Sequence, residues 1–176
     1  TIDAIIFEDY DKGVITETLI KLVVDLATQK ELIVVVDPKK RNFLHYKNVT
    51  LFKPNLKELR EGLKMDIQPK NNLDAAVNIL QQQLNAQMVM VTLSELGAYI
   101  SSKQGSKTIP AHIRDIADVS GAGDTVVATA TLCLAAGLDE FKTAAIANLA
   151  GGLVCEHVGV VPIDKNQLLS ESEALF

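Results

Sequence analysis

Short runs of β-forming apolar residues alternate with amphipathic helical patterns along nearly the whole chain, and that alternation constrains its fold more than any other feature. Ala4 to Phe7, Leu32 to Val36, Val49 to Phe52 and Met88 to Leu93 are apolar almost without interruption. A strand wetted on one face would alternate apolar with polar, so such runs imply a mainly parallel sheet covered by helices on both faces. Between them, Thr16 is placed to cap a helix carrying Leu19, Ile20, Leu22, Val23 and Leu26 on one side. Asn55 caps a second helix through Leu63, and Asn72 to Asn85 makes a third. Gly97 to Ser101 and Ser106 to Ile109 read as a hairpin around Lys103-Gln104-Gly105. Two long apolar helices follow, Ala122 to Ala136 and Glu140 to Cys155, divided by Gly137-Leu138-Asp139. Val158 to Ile163 is expected to add a last strand before a short terminal helix. No repeat or linker interrupts the pattern, so residues 1–176 are expected to form one α/β unit, an α/β/α sandwich in three layers.

In such sheets ligands bind beyond the carboxyl ends of the strands. Those ends carry Asp9 to Gly13, Asp37-Pro38-Lys39, Lys53-Pro54-Asn55 and Thr92. The run Asp118-Val119-Ser120-Gly121-Ala122-Gly123-Asp124-Thr125 is the most informative of the polar segments. It stands where an extended stretch gives way to a long apolar helix. A small-residue turn opening a helix points several backbone N–H groups at one spot, which makes an anion site. Asp124 beside it would be a poor phosphate ligand but a good proton acceptor. The pair suggests phosphoryl transfer to a hydroxyl, with the amides holding charge and the carboxylate taking the proton. Taken alone, the run is better explained by tight packing and a first-turn acid serving the helix dipole.

Lys53-Pro54-Asn55-Leu56-Lys57-Glu58 follows a strand and opens a helix. Asn55 with Glu58 three residues on is the spacing of a capping box. It is also a spacing that turns an amide and a carboxylate toward Mg2+ or its waters, with Lys53 on a phosphate. The two readings are compatible. Thr92 to Gly97 joins a strand to the hairpin and could contact a nucleotide through Thr92 and its backbone. Lys12 and Lys39 are candidates for a substrate phosphate, although loop charge in solvent is the plainer account of Lys12.

Composition narrows the classes. Hydrophobic residues make up 48%, too many for a disordered chain. Seventeen Lys and Arg against 22 Asp and Glu give a net charge of -5, which argues against nucleic-acid or polybasic membrane partners. No apolar run approaches the length of a bilayer span, so a cytoplasmic setting is expected. Cys133 and Cys155 lie in apolar helical contexts and are expected to be buried, reduced thiols. His45, His112 and His157 are scattered without a metal-ligand pattern.

Taken in order, these pieces resemble the PfkB-type, ribokinase-like carbohydrate kinases. Asp118 through Asp124 is similar to that family's second signature, Lys53-Pro54-Asn55 with Glu58 to its magnesium and nucleotide motif, and Thr92 to Gly97 to its nucleotide-contacting segment. Within the family the resemblance is to the branch acting on heptose 7-phosphate. It rests on Asp9-Tyr10 with Lys12-Gly13, Asp37-Pro38-Lys39, Thr92-Leu93-Ser94-Glu95, Val119-Ser120, and Ala147-Asn148 with Gly151-Gly152-Leu153-Val154. The resemblance implies a ribokinase-like fold, ATP and Mg2+ as cofactors, and a sugar phosphate as acceptor. It implies Asp124 as the base and Gly121, Ala122 and Gly123 as the anion hole. Lys53, Asn55, Leu56, Lys57, Glu58 and Thr92 would bind ATP, with Gly97 and Asn148 at the purine and Asn55 and Glu58 toward the metal. His157 stands where the branch often has Lys and is assigned nothing. The chain opens at Thr1 directly into a strand-like run, as expected of the carboxy-terminal part of such a kinase domain, without its sugar-binding half. A homo-oligomer is expected of the full-length protein. Other sugar kinases of the family, acting on ribose, fructose or a fructose phosphate, stand as alternatives, as does a non-catalytic nucleotide-binding subunit.

Overall fold

The computed structural model of the chain describes residues 2–176. Six strands form one mixed sheet in sequence order: β1 (Ala4–Glu8), β2 (Ile33–Asp37), β3 (Leu51–Phe52), β4 (Met88–Thr92), β5 (Ala98–Ser102) and β6 (Gly105–Ile109). The first four run parallel, and β5 and β6 close the sheet as an antiparallel hairpin. Helices α1 (Glu17–Gln29), α2 (Leu56–Leu63) and α3 (Leu73–Leu84) cross between the parallel strands, while α4 (Ala122–Ala135), α5 (Glu140–Val154) and α6 (Lys165–Glu173) follow the hairpin.

Strand alternation explains the layers. Val34, Val36, Phe52, Val89 and Val91 point to one face and pack with Ile20, Val24, Leu59, Val77 and Leu80 of the first three helices. Val35, Leu51, Met90 and Ile100 point to the other and meet Val126, Ala130, Ala144 and Ala147 of α4 and α5. Two dry interfaces on one sheet are what the uninterrupted apolar strands demanded, and the three-layer sandwich follows from them. α4 and α5 approach closely because Gly151 faces Val126: a Cβ there would lie 2.5 Å from Val126 Cγ2. Cys133 and Cys155 are both buried. No helix among the described residues is long and apolar enough to cross a membrane.

Two expectations need correction. The third strand is only Leu51–Phe52: Asn48 takes a left-handed turn at φ 59° just before it, and at Thr50 the backbone N–H donates to Val34 O while the hydroxyl accepts from the Val34 N–H. Val158 to Ile163 forms no strand. Gly159 turns at φ 79°, its N–H donates to Asp118 Oδ2 at 3.0 Å, and the segment folds against the start of α4, with Val160 Cγ1 3.1 Å from where a Cβ of Gly121 would stand. Its alternating apolar residues are largely exposed rather than paired into the sheet.

Candidate active site

The site begins with strand geometry. Residues two apart on a strand share a face. Glu8 follows Ile6, Asp37 follows Val35 and Lys53 follows Leu51 by two, so all three point toward the α4 side of the sheet at the carboxyl ends of β1, β2 and β3. Register aligns them: Glu8 pairs with Asp37 across β1 and β2, while Val35 pairs with Leu51 across β2 and β3. Lys53 Nζ lies 3.1 Å from Asp37 Oδ2, and both residues are almost wholly buried, at 2% and 5% exposure. Taking two charges out of water is costly, and here each compensates the other.

Helix α4 enters above this row. Gly121, its N-cap, is left-handed at φ 79°, and no side chain caps the helix. Asp118 shapes the preceding turn by accepting from the N–H and hydroxyl of Ser120 and from the Gly159 N–H. The Ala122 N–H turns back to Val119 O at 3.3 Å, whereas Gly123 and Asp124 N–H find no partner among the described residues. A Cβ at Gly123 would stand 3.6 Å from both Lys53 Nζ and Asp37 Oδ2, so the uncapped start of α4 lies beside that buried pair. Free first-turn amides beside a buried lysine are the kind of donors an anion would need.

Asp124, exposed in that first turn, brings its carboxylate to the same place. Oxygens of Glu8, Asp37 and Asp124 lie within 4.8 Å of one another. Burial, then the charges of Asp37 and Asp124, push Glu8 up to about 8, against the pull of Lys53. A carboxyl in that state keeps a proton at neutral pH or gives it up to a cation. Asp37 Oδ1 is buried with no hydrogen-bond partner; Lys39 Nζ stands 3.8 Å away. An orphaned carboxylate oxygen beside two more carboxylates fits a hard divalent cation.

The other sequence candidates fall around this centre or apart from it. Asn55 and Glu58 close a reciprocal capping box on α2, Asn55 Oδ1 accepting from Glu58 N–H at 2.8 Å and Glu58 Oε2 from Asn55 N–H at 2.9 Å. Glu58 Oε1 takes the Lys39 ammonium at 2.6 Å. Lys39 is therefore an ion-pair partner here; burial would lower its proton affinity, but the Glu58 contact and the Asp37 charge raise it on balance. Leu56 packs against the first-face core, and Lys57 is exposed beside Glu61. Thr92 bridges Asn55 in parallel, its N–H donating to Pro54 O at 3.1 Å, which ties β4 to the start of α2. Lys12 is exposed and makes no ion pair among the described residues.

Gly97 and Asn148 converge on another segment, Ile109 to Ala111. A Cβ on Gly97, which sits at φ 91°, would be 2.1 Å from Ile109 O. The Asn148 amide donates to Pro110 O at 3.0 Å. Both residues thus hold the chain as it leaves the hairpin.

Sequence reasoning misses Glu8, because the first apolar run ends at Phe7 and the next residue reads as loop. It picks out Asp37 without giving it a role. A pattern of one polar residue two positions past an apolar one, at three successive strand ends, is the available signal for both.

The pfkB family carbohydrate kinase model matches residues 7–166 of the chain. The chain is 40% identical over 171 residues to the bifunctional protein HldE of Methylobacillus flagellatus, covering 97% of this chain and 35% of that protein. It is 36% identical over 168 residues to the bifunctional protein HldE of Koribacter versatilis, covering 96% of this chain and 35% of that one. The chain therefore spans about a third of the length of the curated relatives it matches. Among solved structures, phosphofructokinase-2 of Escherichia coli in complex with potassium superposes with a TM-score of 0.83 at 19% identity, covering 92% of this chain and 53% of that one. Arabidopsis thaliana ribokinase complexed with ribose and ATP gives 0.80 at 17% identity, covering 90% and 53%. These two share the fold. Family model and relatives agree: the chain belongs to the pfkB family of carbohydrate kinases.

Proposed function

We propose that residues 1–176 are the carboxy-terminal, nucleotide-binding and catalytic part of an ATP-dependent sugar-phosphate kinase whose acceptor is heptose 7-phosphate, phosphorylated to the 1,7-bisphosphate on the way to ADP-heptose and the lipopolysaccharide core. The observation that carries the kinase reading is the convergence on Asp37 of Asp124, the uncapped start of α4 at Gly123 and the buried Lys53. The acceptor rests on the residues shared with the heptose branch and on the relatives. The setting proposed is the cytoplasm, and the full-length protein is proposed to be a homo-oligomer.

Asp124 accepts the proton of the attacking hydroxyl at its carboxylate. The amides of the Gly121–Gly123 turn and the first turn of α4 bind the transferring phosphoryl group, and the helix dipole favours the charge that builds there. Lys53 adds a buried positive charge, kept from wandering by Asp37. Thr92, Leu56, Lys57 and the capped start of α2 line the nucleotide's path, with Gly97 and Asn148 holding the segment proposed to face the purine. Glu8 and Asp37 would hold a magnesium ion directly, and Asn55 and Glu58, whose oxygens serve the cap, would reach its water shell. When bound, magnesium supplies neutralisation of phosphate charge.

Replacing Asp124 by Asn in the full-length protein tests the mechanism. Turnover of heptose 7-phosphate with MgATP should fall about 10²- to 10⁴-fold, while MgATP affinity measured by calorimetry stays within a few-fold. Wild-type turnover in that variant would exclude Asp124 as the base.

A further inference from the structure

The hydroxyl of Tyr10, in the loop after β1, donates to Asp124 Oδ2 at 2.8 Å, joining residues 114 apart in sequence. We propose that Tyr10 is the positioning residue of the Asp124 carboxylate, fixing one oxygen so that the other is presented to the acceptor hydroxyl. This rests on the reading of Asp124 as the base.

Three observations support it. Tyr10 is 56% exposed, so core packing does not explain its place. An exposed phenol would ordinarily spread over several rotamers, and a single hydrogen bond in water holds it weakly. Here the loop beneath it is fixed. Asp9, only 2% exposed, accepts from the Tyr46 hydroxyl at 2.7 Å, Asn42 Nδ2 at 3.0 Å and the Asp11 N–H at 2.8 Å. Asn42 Nδ2 also donates to Ile15 O at 3.0 Å, and Arg41 Nε lies 2.8 Å from Asp11 Oδ1. Both ends and the middle of the loop are thereby stitched to the 41–46 segment, the Asp9 end by a buried and fully partnered polar cluster.

Glu8 and Asp37 crowd Asp124 within 4.8 Å, and the one buried ammonium beside them, Lys53, is 3.1 Å from Asp37. Asp124 is itself exposed, and among the described residues Tyr10 is the one side chain that hydrogen-bonds its carboxylate, so without that bond the side chain is free to turn into solvent. A neutral donor on a rigid loop restrains it without the proton affinity lost to a lysine or arginine partner.

The test is a double-mutant cycle in the full-length protein, with MgATP and heptose 7-phosphate as substrates. Tyr10→Phe should lower kcat about tenfold, leave KM for MgATP within twofold and leave Tm within a few degrees. In the Asp124→Asn background the same change should alter kcat less than twofold, since nothing remains to position. Asp9→Asn, which loosens the loop while keeping the phenol, should also lower kcat with KM for MgATP unchanged. An unchanged kcat in Tyr10→Phe, beside a strongly impaired Asp124→Asn, overturns this inference and leaves the base assignment standing. Equal losses from Tyr10→Phe in both backgrounds also overturn it. An active Asp124→Asn enzyme removes the base assignment first, and this inference with it.

Discussion

Glu8 shows how far neighbours can move one ionisation. It lies half-buried beside two carboxylates, and burial, Asp37 and Asp124 raise it to about 8 from an ordinary 4.5. The folded state therefore holds a proton there that the unfolded chain releases between those values. Relative to a site that never ionises, the wild type loses stability as pH rises from about 4.5 toward about 8, and no more above it. Glu8→Gln should thus match the wild type in Tm near pH 4 and exceed it at pH 8, in thermal scans with a chelator present. A Tm advantage that stays flat across the range would show that Glu8 ionises normally. Gly97 is constrained by space and by backbone. It sits at φ 91°, and an added Cβ would stand 2.1 Å from Ile109 O, so Gly97→Ala should cost about 2–4 kcal/mol in denaturant unfolding.

At the scale of elements, the two helix starts around the site are built in opposite ways. α2 satisfies its first amides internally through the Asn55–Glu58 box and turns Glu58's second oxygen to Lys39. α4 has no side-chain cap and leaves amides open beside Lys53. The closed end is a foundation, and the open end is the one proposed to bind an anion. Asn55→Ala should cost about 1 kcal/mol of stability, the ordinary value of a lost cap. Glu58→Ala removes the box and strands the Lys39 ammonium, so it should lower stability at least as much and also weaken MgATP binding by calorimetry. If Asn55→Ala and Glu58→Ala weaken nucleotide binding not at all, the start of α2 has a structural role alone.

At the scale of the whole molecule, two apolar interfaces on one sheet hold the fold, and the site sits at one end of the second interface. Asp124 and Tyr10 are exposed, so water reaches the proposed base freely. Kinases exclude water from the transferring group by closing over it. The 176-residue chain by itself is therefore expected to give little or no acceptor-dependent ADP release from MgATP and heptose 7-phosphate. Release at about 1 s⁻¹ or faster, within the usual range of kinases, would contradict that expectation.

Local chemistry determined the parts of this protein that the sequence could announce. The uninterrupted apolar strands required two covered faces, Thr16 and Asn55 with Glu58 stated where helices begin, and the small residues from Gly121 to Gly123 marked an open helix start. Each depends on residues within a few positions of one another, so their order along the chain is enough. The Glu8–Asp37–Lys53 row, the tie from Tyr10 to Asp124, the engagement of Lys39 by Glu58 and the failure of Val158 to Ile163 to join the sheet were decided only by tertiary structure. They depend on strand register and on which helix lies over which strand end. Those are set by packing across distances of up to 114 residues, where like charges, donors and orphaned oxygens meet for the first time.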